Sequence, residues 1–139
     1  MEVTPRTFGC QSMTGRLERV LVKPPTAGAW TAWRAYGWRA EPDCAGLEAE
    51  HEAFRALLAE AGAEVVLGQT GGSSNPDAIY AYDPALVADS GAVLLMPGKE
   101  GRRREPEEMA VDFMEAGVPL AGQLRFPAGP DAVALAQTR

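Results

Sequence analysis

Apolar positions along the chain fall into short runs separated by two helical stripes. Leu17 to Val22 (Leu-Glu-Arg-Val-Leu-Val) reads as a first strand, stopped by Lys23-Pro24-Pro25. From about Ala45 to Ala61, the residues Leu47, His51, Phe54, Leu58 and Ala61 recur in alternating steps of four and three, which is one face of a helix. Pro42-Asp43 marks its start, and Gly62 can take the positive φ that ends it. Ala63 to Leu67 then reads as a second strand. Strand, helix, strand with a short connection is the signature of a βαβ unit.

A turn at Asn75-Pro76 opens the next section. Ile79, Tyr80 and Tyr82 form a β-prone run that ends on Asp83, beside Pro84. Leu86-Val87 begins another run, and Asp89-Ser90-Gly91 reads as a hairpin turn. Ala92 to Met96 is apolar throughout, the pattern of a strand buried on both faces, and Pro97-Gly98 breaks it. Glu105-Pro106-Glu107-Glu108 opens a second helix: proline fits the first turn, and the acids suit the positive end of the helix dipole. Met109, Phe113 and Ala116 give its buried stripe, and Gly117 ends it. Val118 to Phe126 reads as a weak strand or a loop. The order is strand, helix, strand, hairpin, helix, strand, with no linker dividing it. This is one α/β domain over residues 1–139, with 1–13 loose and 127–139 a featureless tail in which Asp131 to Gln137 has the length for one or two helical turns.

Composition narrows the function classes. The 139 residues are 46% hydrophobic and 23% charged, enough for one soluble domain that buries roughly two thirds of its unfolded surface. A net charge of -6 argues against nucleic acid or an anionic membrane as the main partner. No apolar run approaches the ~20 residues of a membrane span, and Met1 to Gln11 lacks the pattern of a signal peptide, so a cytoplasmic protein is expected. Cys10 and Cys44 lie far apart without metal-ligand spacing, which argues against a metal site and against a disulfide. No cofactor motif is present: Gly68 to Ser74 lacks the lysine and spacing of a phosphate-binding loop and reads as a connector.

The chemistry on offer is Asp77, Asp83 and Arg102. A carboxylate accepts paired hydrogen bonds from a guanidinium or an amine, and an arginine fork holds a carboxylate in the same way. On a continuous strand, Asp77 and Asp83 would stand about 20 Å apart at ~3.3 Å per residue, so one small ligand requires the chain to bend or the strand to begin after Asp77. Each residue has a plain alternative. The aspartates serve as turn residues bonding their own backbone. Arg102, Arg103 and Arg104 serve as a solvated loop or as ion-pair partners of Glu105, Glu107 and Glu108. His51, the one histidine, serves as a core residue, with no serine or cysteine placed beside it. Thr26 to Arg39, holding Trp30, Trp33, Tyr36 and Trp38, either packs rings onto the core or forms a lid over a pocket. No nucleophile with an adjacent base is presented, so no catalytic residue is assigned.

At these positions the sequence resembles the guanidine-modifying, or pentein, enzymes, in the branch of dimethylarginine dimethylaminohydrolase and the amidinotransferases. Those proteins carry Pro-Asp-x-x-Phe-x-Glu-Asp, a hairpin, Arg-Pro-Gly and an Arg-Arg-x-Glu cluster. Here the segments read Pro76-Asp77-Ala78-Ile79-Tyr80-Ala81-Tyr82-Asp83, Met96-Pro97-Gly98 and Arg102-Arg103-Arg104-Glu105. The likeness spans about residues 9–126. It implies a part of the five-module α/β-propeller, about two to three βαβ-like modules corresponding to the N-terminal half. It also implies roles: Asp83 on the guanidinium or ureido nitrogens, Asp77 near the substrate's α-amino group, Arg102 on its α-carboxylate and Tyr80 lining the pocket. Tyr82 stands where many members have glutamate, and Met96 replaces the arginine before Pro-Gly. The family's catalytic histidine and late cysteine have no counterpart here.

The expected function is therefore that of an amidino-group hydrolase or transferase on arginine-like amino acids, dimethylarginine and citrulline among them, represented by a short chain inactive on its own. The alternatives are a non-enzymatic module that binds arginine-like ligands or another chain, and a small α/β domain whose likeness serves no present function. An opened propeller would expose sheet edges, so self-association is a further expectation.

Overall fold

The computed structural model describes residues 8–69 and 74–125. Its first unit is the expected βαβ. Strand β1 (Arg19–Val22) pairs in parallel with β2 (Glu64–Leu67), with Val20 opposite Val65 and Leu21 opposite Val66. Parallel neighbours need a crossover, and helix α1 (Cys44–Glu60) supplies it. Gly62 takes a φ of 95°, which turns the chain from α1 into β2 without a Cβ penalty. The apolar stripe of α1, however, is not a core face. No residue of α1 is buried; Phe54 is 49% exposed and Leu57 63%. The helix rests on one two-stranded sheet, too narrow to cover a whole flank. His51 is half-buried, and burial pushes its pKa below the ordinary 6.5, helped by Arg55 and opposed by the Lys23 backbone and Glu52.

The second unit contains the core. Strands β3 (Ala85–Ala88) and β4 (Gly91–Leu94) form an antiparallel hairpin closed by Asp89-Ser90, with Ala88 opposite Gly91. Helix α2 (Glu105–Glu115) then carries the chain back to β5 (Leu120–Gln123), which pairs in parallel with β4, giving the order β3-β4-β5. Strand β4 is central in this sheet: Ala92 and Leu94 on one face are buried, whereas Val93 on the other is half-buried, so the run is not buried on both faces as expected. Ala92 and Leu94 join Ala85, Val118 and the α2 stripe of Met109 and Phe113, against which Phe8 and Leu21 pack. The two units are also joined by polar contacts. Lys23, just after β1, pairs with Asp112 of α2 at 3.0 Å, both side chains buried. The Gln69 backbone N–H, just after β2, donates to Asp112 Oδ1 at 2.9 Å. Arg19 Nη1 donates to the Ala116 carbonyl at the end of α2, at 2.6 Å, where a cation satisfies a carbonyl that the helix leaves free.

One expected strand is absent. Pro76–Ile79 forms a 3-10 turn, and the chain continues in turns to Pro84. The β-prone residues there lose to a local cap: the Asn75 side chain accepts from the Asp77 N–H at 3.0 Å, and Pro76 sits at the start with its φ preset. The aromatic stretch contains a second 3-10 turn, Ala29–Ala32. The expectations for residues 1–7, for most of the connector and for the tail fall outside the described residues. No helix among the described residues is long and apolar enough to cross a membrane.

Two outcomes test this account. A Cβ on Gly91, whose φ is 125°, would lie 2.3 Å from the Pro119 carbonyl oxygen, whereas one on Gly98 meets nothing within 4 Å. Gly91→Ala should therefore cost roughly 2–4 kcal/mol in urea unfolding, from strain and overpacking together, and Gly98→Ala should cost under about 1. His51 binds its proton more weakly folded than unfolded, so its contribution is intact above about pH 6.5 and is lost as the pH falls through the folded value. Unfolding curves measured on both sides of that pH should converge in His51→Gln relative to the native chain.

Candidate active site

The 3-10 turn Glu100–Arg102 runs into α2 so that Arg102 and Glu105 face each other three residues apart. Arg102 Nε donates to Glu105 Oε1 and Nη2 to Oε2, each at 2.7 Å, a two-pronged pairing in which both side chains are buried. Asn75 Nδ2 donates to the same Oε1 at 2.7 Å. Arg102 Nη1 reaches Asp83 Oδ2 at 2.5 Å, and Nη2 reaches the Tyr80 carbonyl at 3.3 Å. The guanidinium also stands 5.9 Å from the centre of the Tyr80 ring. Burial alone would favour discharge of Arg102, but its bonds to Glu105 and Asp83 outweigh this and hold its pKa above the ordinary arginine value. All but one of its N–H donors are occupied. The ion-pair reading of Arg102 with Glu105 is thus the one its contacts show.

Asp77 is the second fixed anion, 4% exposed. Trp38 Nε1 donates to its Oδ1 at 2.7 Å, and Lys99 Nζ to its Oδ2 at 2.5 Å. Lys99 Nζ also donates to the Tyr36 carbonyl and lies 5.3 Å from the Tyr36 ring centre. The Tyr36 hydroxyl donates to the Gly101 carbonyl at 3.1 Å. A Cβ on Gly101 would meet that ring at 2.9 Å, so the close approach requires glycine. Burial pushes the Tyr36 pKa up, with Asp77, Glu105 and Glu108 adding to the rise and Arg102 opposing it.

These groups surround one open cavity of about 750 Å³. Asp77, Tyr80, Asp83 and Arg102, the four residues singled out in the sequence, all line it, because the turns at 76–83 replace the strand that would have separated the aspartates. Tyr82 lines it as well, 79% exposed, along with Tyr36, Trp38, Arg39 and Lys99. Of the tryptophans, only Trp38 reaches this wall; Trp30 faces a small crevice beside Pro76. Lys99 carries no signal in the sequence; Trp38 is marked there only as one ring of the aromatic stretch, Asn75 only as a turn residue and Glu105 only as an ion-pair partner, whereas Trp38 bonds Asp77 and Asn75 and Glu105 hold the wall from behind. Glu105 is signalled by its three-residue spacing from Arg102; the partners across 22 and 39 residues have no local signal. Cys10, Cys44 and His51 do not line the cavity.

Removing the guanidinium tests the network. Arg102→Met strands buried Glu105 and should cost about 3–5 kcal/mol in urea unfolding, whereas Arg102→Met with Glu105→Met should recover more than half of that loss.

No family model and no curated protein matches the sequence. Solved structures do. Dimethylarginine dimethylaminohydrolase from Pseudomonas aeruginosa, a cysteine-to-serine variant complexed with citrulline, superposes with a TM-score of 0.66 at 19% identity over 81% of this chain and 44% of that one. An adduct of dimethylarginine dimethylaminohydrolase with S-methyl-L-thiocitrulline gives 0.65 at 20% identity, covering 80% and 43%. Another adduct, with 4-chloro-2-hydroxymethylpyridine, gives 0.60 at 19% identity, covering 80% and 42%. The chain spans less than half the length of these proteins. Over about four-fifths of its own length, the chain has the fold of part of these dimethylarginine dimethylaminohydrolase structures.

Proposed function

We propose that this chain forms the substrate cradle of an amidino-group hydrolase or transferase acting on arginine-like amino acids. The observation that carries the reading is the convergence of Asp77, Asp83 and Arg102 on one aromatic-lined cavity, within a fold shared with structures holding citrulline and S-methyl-L-thiocitrulline. In this reading, the two βαβ units are consecutive modules of a pentein propeller from its N-terminal half. Asp83 takes the guanidinium or ureido nitrogens, Asp77 the α-amino group, and the remaining N–H of Arg102 the α-carboxylate. Tyr80 forms a wall of the pocket.

The cradle binds and orients. Substitution at a guanidino carbon also needs a nucleophile with a base in reach, and neither cysteine nor the histidine lines this cavity. The reactive groups must therefore come from outside the cavity wall described here, and this chain alone holds its ligand without turning it over. With Tyr82 where a glutamate is common in the family, the head group meets Asp83 as its one carboxylate, already bonded to Arg102. Exposed β5 and the open flank of α1 are the surfaces through which further modules or a second copy would complete the structure.

Calorimetric titration with arginine and citrulline tests the reading. Heat is expected with one or both, reduced at least about tenfold in affinity in Asp83→Ala, the loss of a charge-assisted hydrogen bond. The absence of heat with either ligand would remove the proposal. Release of citrulline or ammonia from arginine or dimethylarginine by the isolated chain would overturn the statement that it does not turn over its ligand.

A further inference from the structure

The two salt bridges that face the cavity differ in kind. Arg102 is clamped: its side chain is 10% exposed, and Glu105, Asp83 and Tyr80 hold it. Lys99 is not. Its side chain is 43% exposed, while the side chain of Asp77, its partner, is 5% exposed. Asp77 is fixed independently, by the Trp38 indole and by the 3-10 turn that Asn75 caps. Lys99 follows Gly98, around which there is open space, on the segment between β4 and the next 3-10 turn. The acceptor is thus rigid and buried, and the donor is a flexible side chain reaching in from solvent.

The surroundings of Lys99 Nζ are those of a recognition site for a primary ammonium: a carboxylate oxygen at 2.5 Å, the Tyr36 backbone carbonyl, and the Tyr36 ring face at 5.3 Å. We infer that Lys99 is a specificity-determining residue of this cavity: its ammonium fills the subsite that a ligand's own ammonium would take, so an amine-bearing ligand must displace it. This rests on the reading of the cavity as an amino-acid cradle and adds a built-in competitor to it. Ligands whose amine pairs strongly enough to displace the tethered lysine are admitted. Neutral amides and ureas without an amine gain nothing at this point, because the charge they would meet is already neutralised.

The test measures the affinity of citrulline and of n-butylammonium, an amine without an amino-acid carboxylate, for the native chain, Lys99→Met and Lys99→Gln. If the subsite is open in about one molecule in ten, emptying it should tighten both ligands about tenfold. Equal or weaker binding of both ligands in both variants overturns the inference, even where the native chain binds citrulline and the cradle reading stands. Tighter n-butylammonium binding in the variants, with no citrulline binding in any form, supports the inference while the arginine-like reading fails. In the native chain, saturating n-butylammonium should shift the Lys99 ammonium resonance in a nitrogen-detected NMR spectrum; an unmoved resonance at saturation overturns the inference without any substitution.

Discussion

The buried pairing of Arg102 with Glu105 is the interaction on which the rest of the cavity depends. Both ions leave water, a cost of several kcal/mol each that only close geometry and further hydrogen bonds offset. Here the offset comes from separate parts of the chain. Glu105 begins α2, Asn75 precedes the 76–79 turn, Asp83 and the Tyr80 carbonyl close the loop before β3, and Arg102 bonds to all of them directly or through Glu105. The packing of α2 on β4 sets where Glu105 stands. From that point the ion network carries position outward to residues that no apolar contact could fix so closely to solvent.

This gives the cavity a layered electrostatic character. Its anions are held by geometry: Asp77 by a cap and an indole, Asp83 by a guanidinium that is itself immobile. Its cations grade from clamped Arg102 through half-exposed Lys99 to exposed Arg39. The chain as a whole carries a charge of -6, yet the groups lining this hollow are two carboxylates against one lysine and two arginines. The lining of this hollow is therefore less negative than the chain as a whole.

Much of the fold was legible because its signals are local. The α1 stripe, the glycines after both helices, and the proline with its acids at the start of α2 lie within a few residues of the structures they specify. The same holds for the hairpin at Asp89-Ser90. The failure at Ile79 to Tyr82 has a clear cause: β propensity reports fit to a pleated, half-buried surface, and there the Asn75 cap and Pro76 settle the backbone first. Exposure of Phe54 was invisible for a different reason, since periodicity identifies a face but not what covers it. Asp77, Asp83 and Arg102 were marked by their charge and spacing, and Tyr80 by a motif likeness. The roles of Trp38 and Lys99 were not, because they exist only once distant segments meet at Asp77.

Asp112 ties the two units into one cooperative structure. Its carboxylate takes Lys23 from the end of β1 and the Gln69 N–H from the end of β2, so a residue in the last turns of α2 secures both strands of the other unit. Gln69 is exposed and lies outside any strand, a position where amide hydrogens ordinarily exchange within the time of local fraying. Bonded to Asp112, its hydrogen should instead be protected for as long as α2 stays docked. The exchange lifetime of this one surface amide thus measures the free energy that holds the first βαβ unit to the helix behind the cavity.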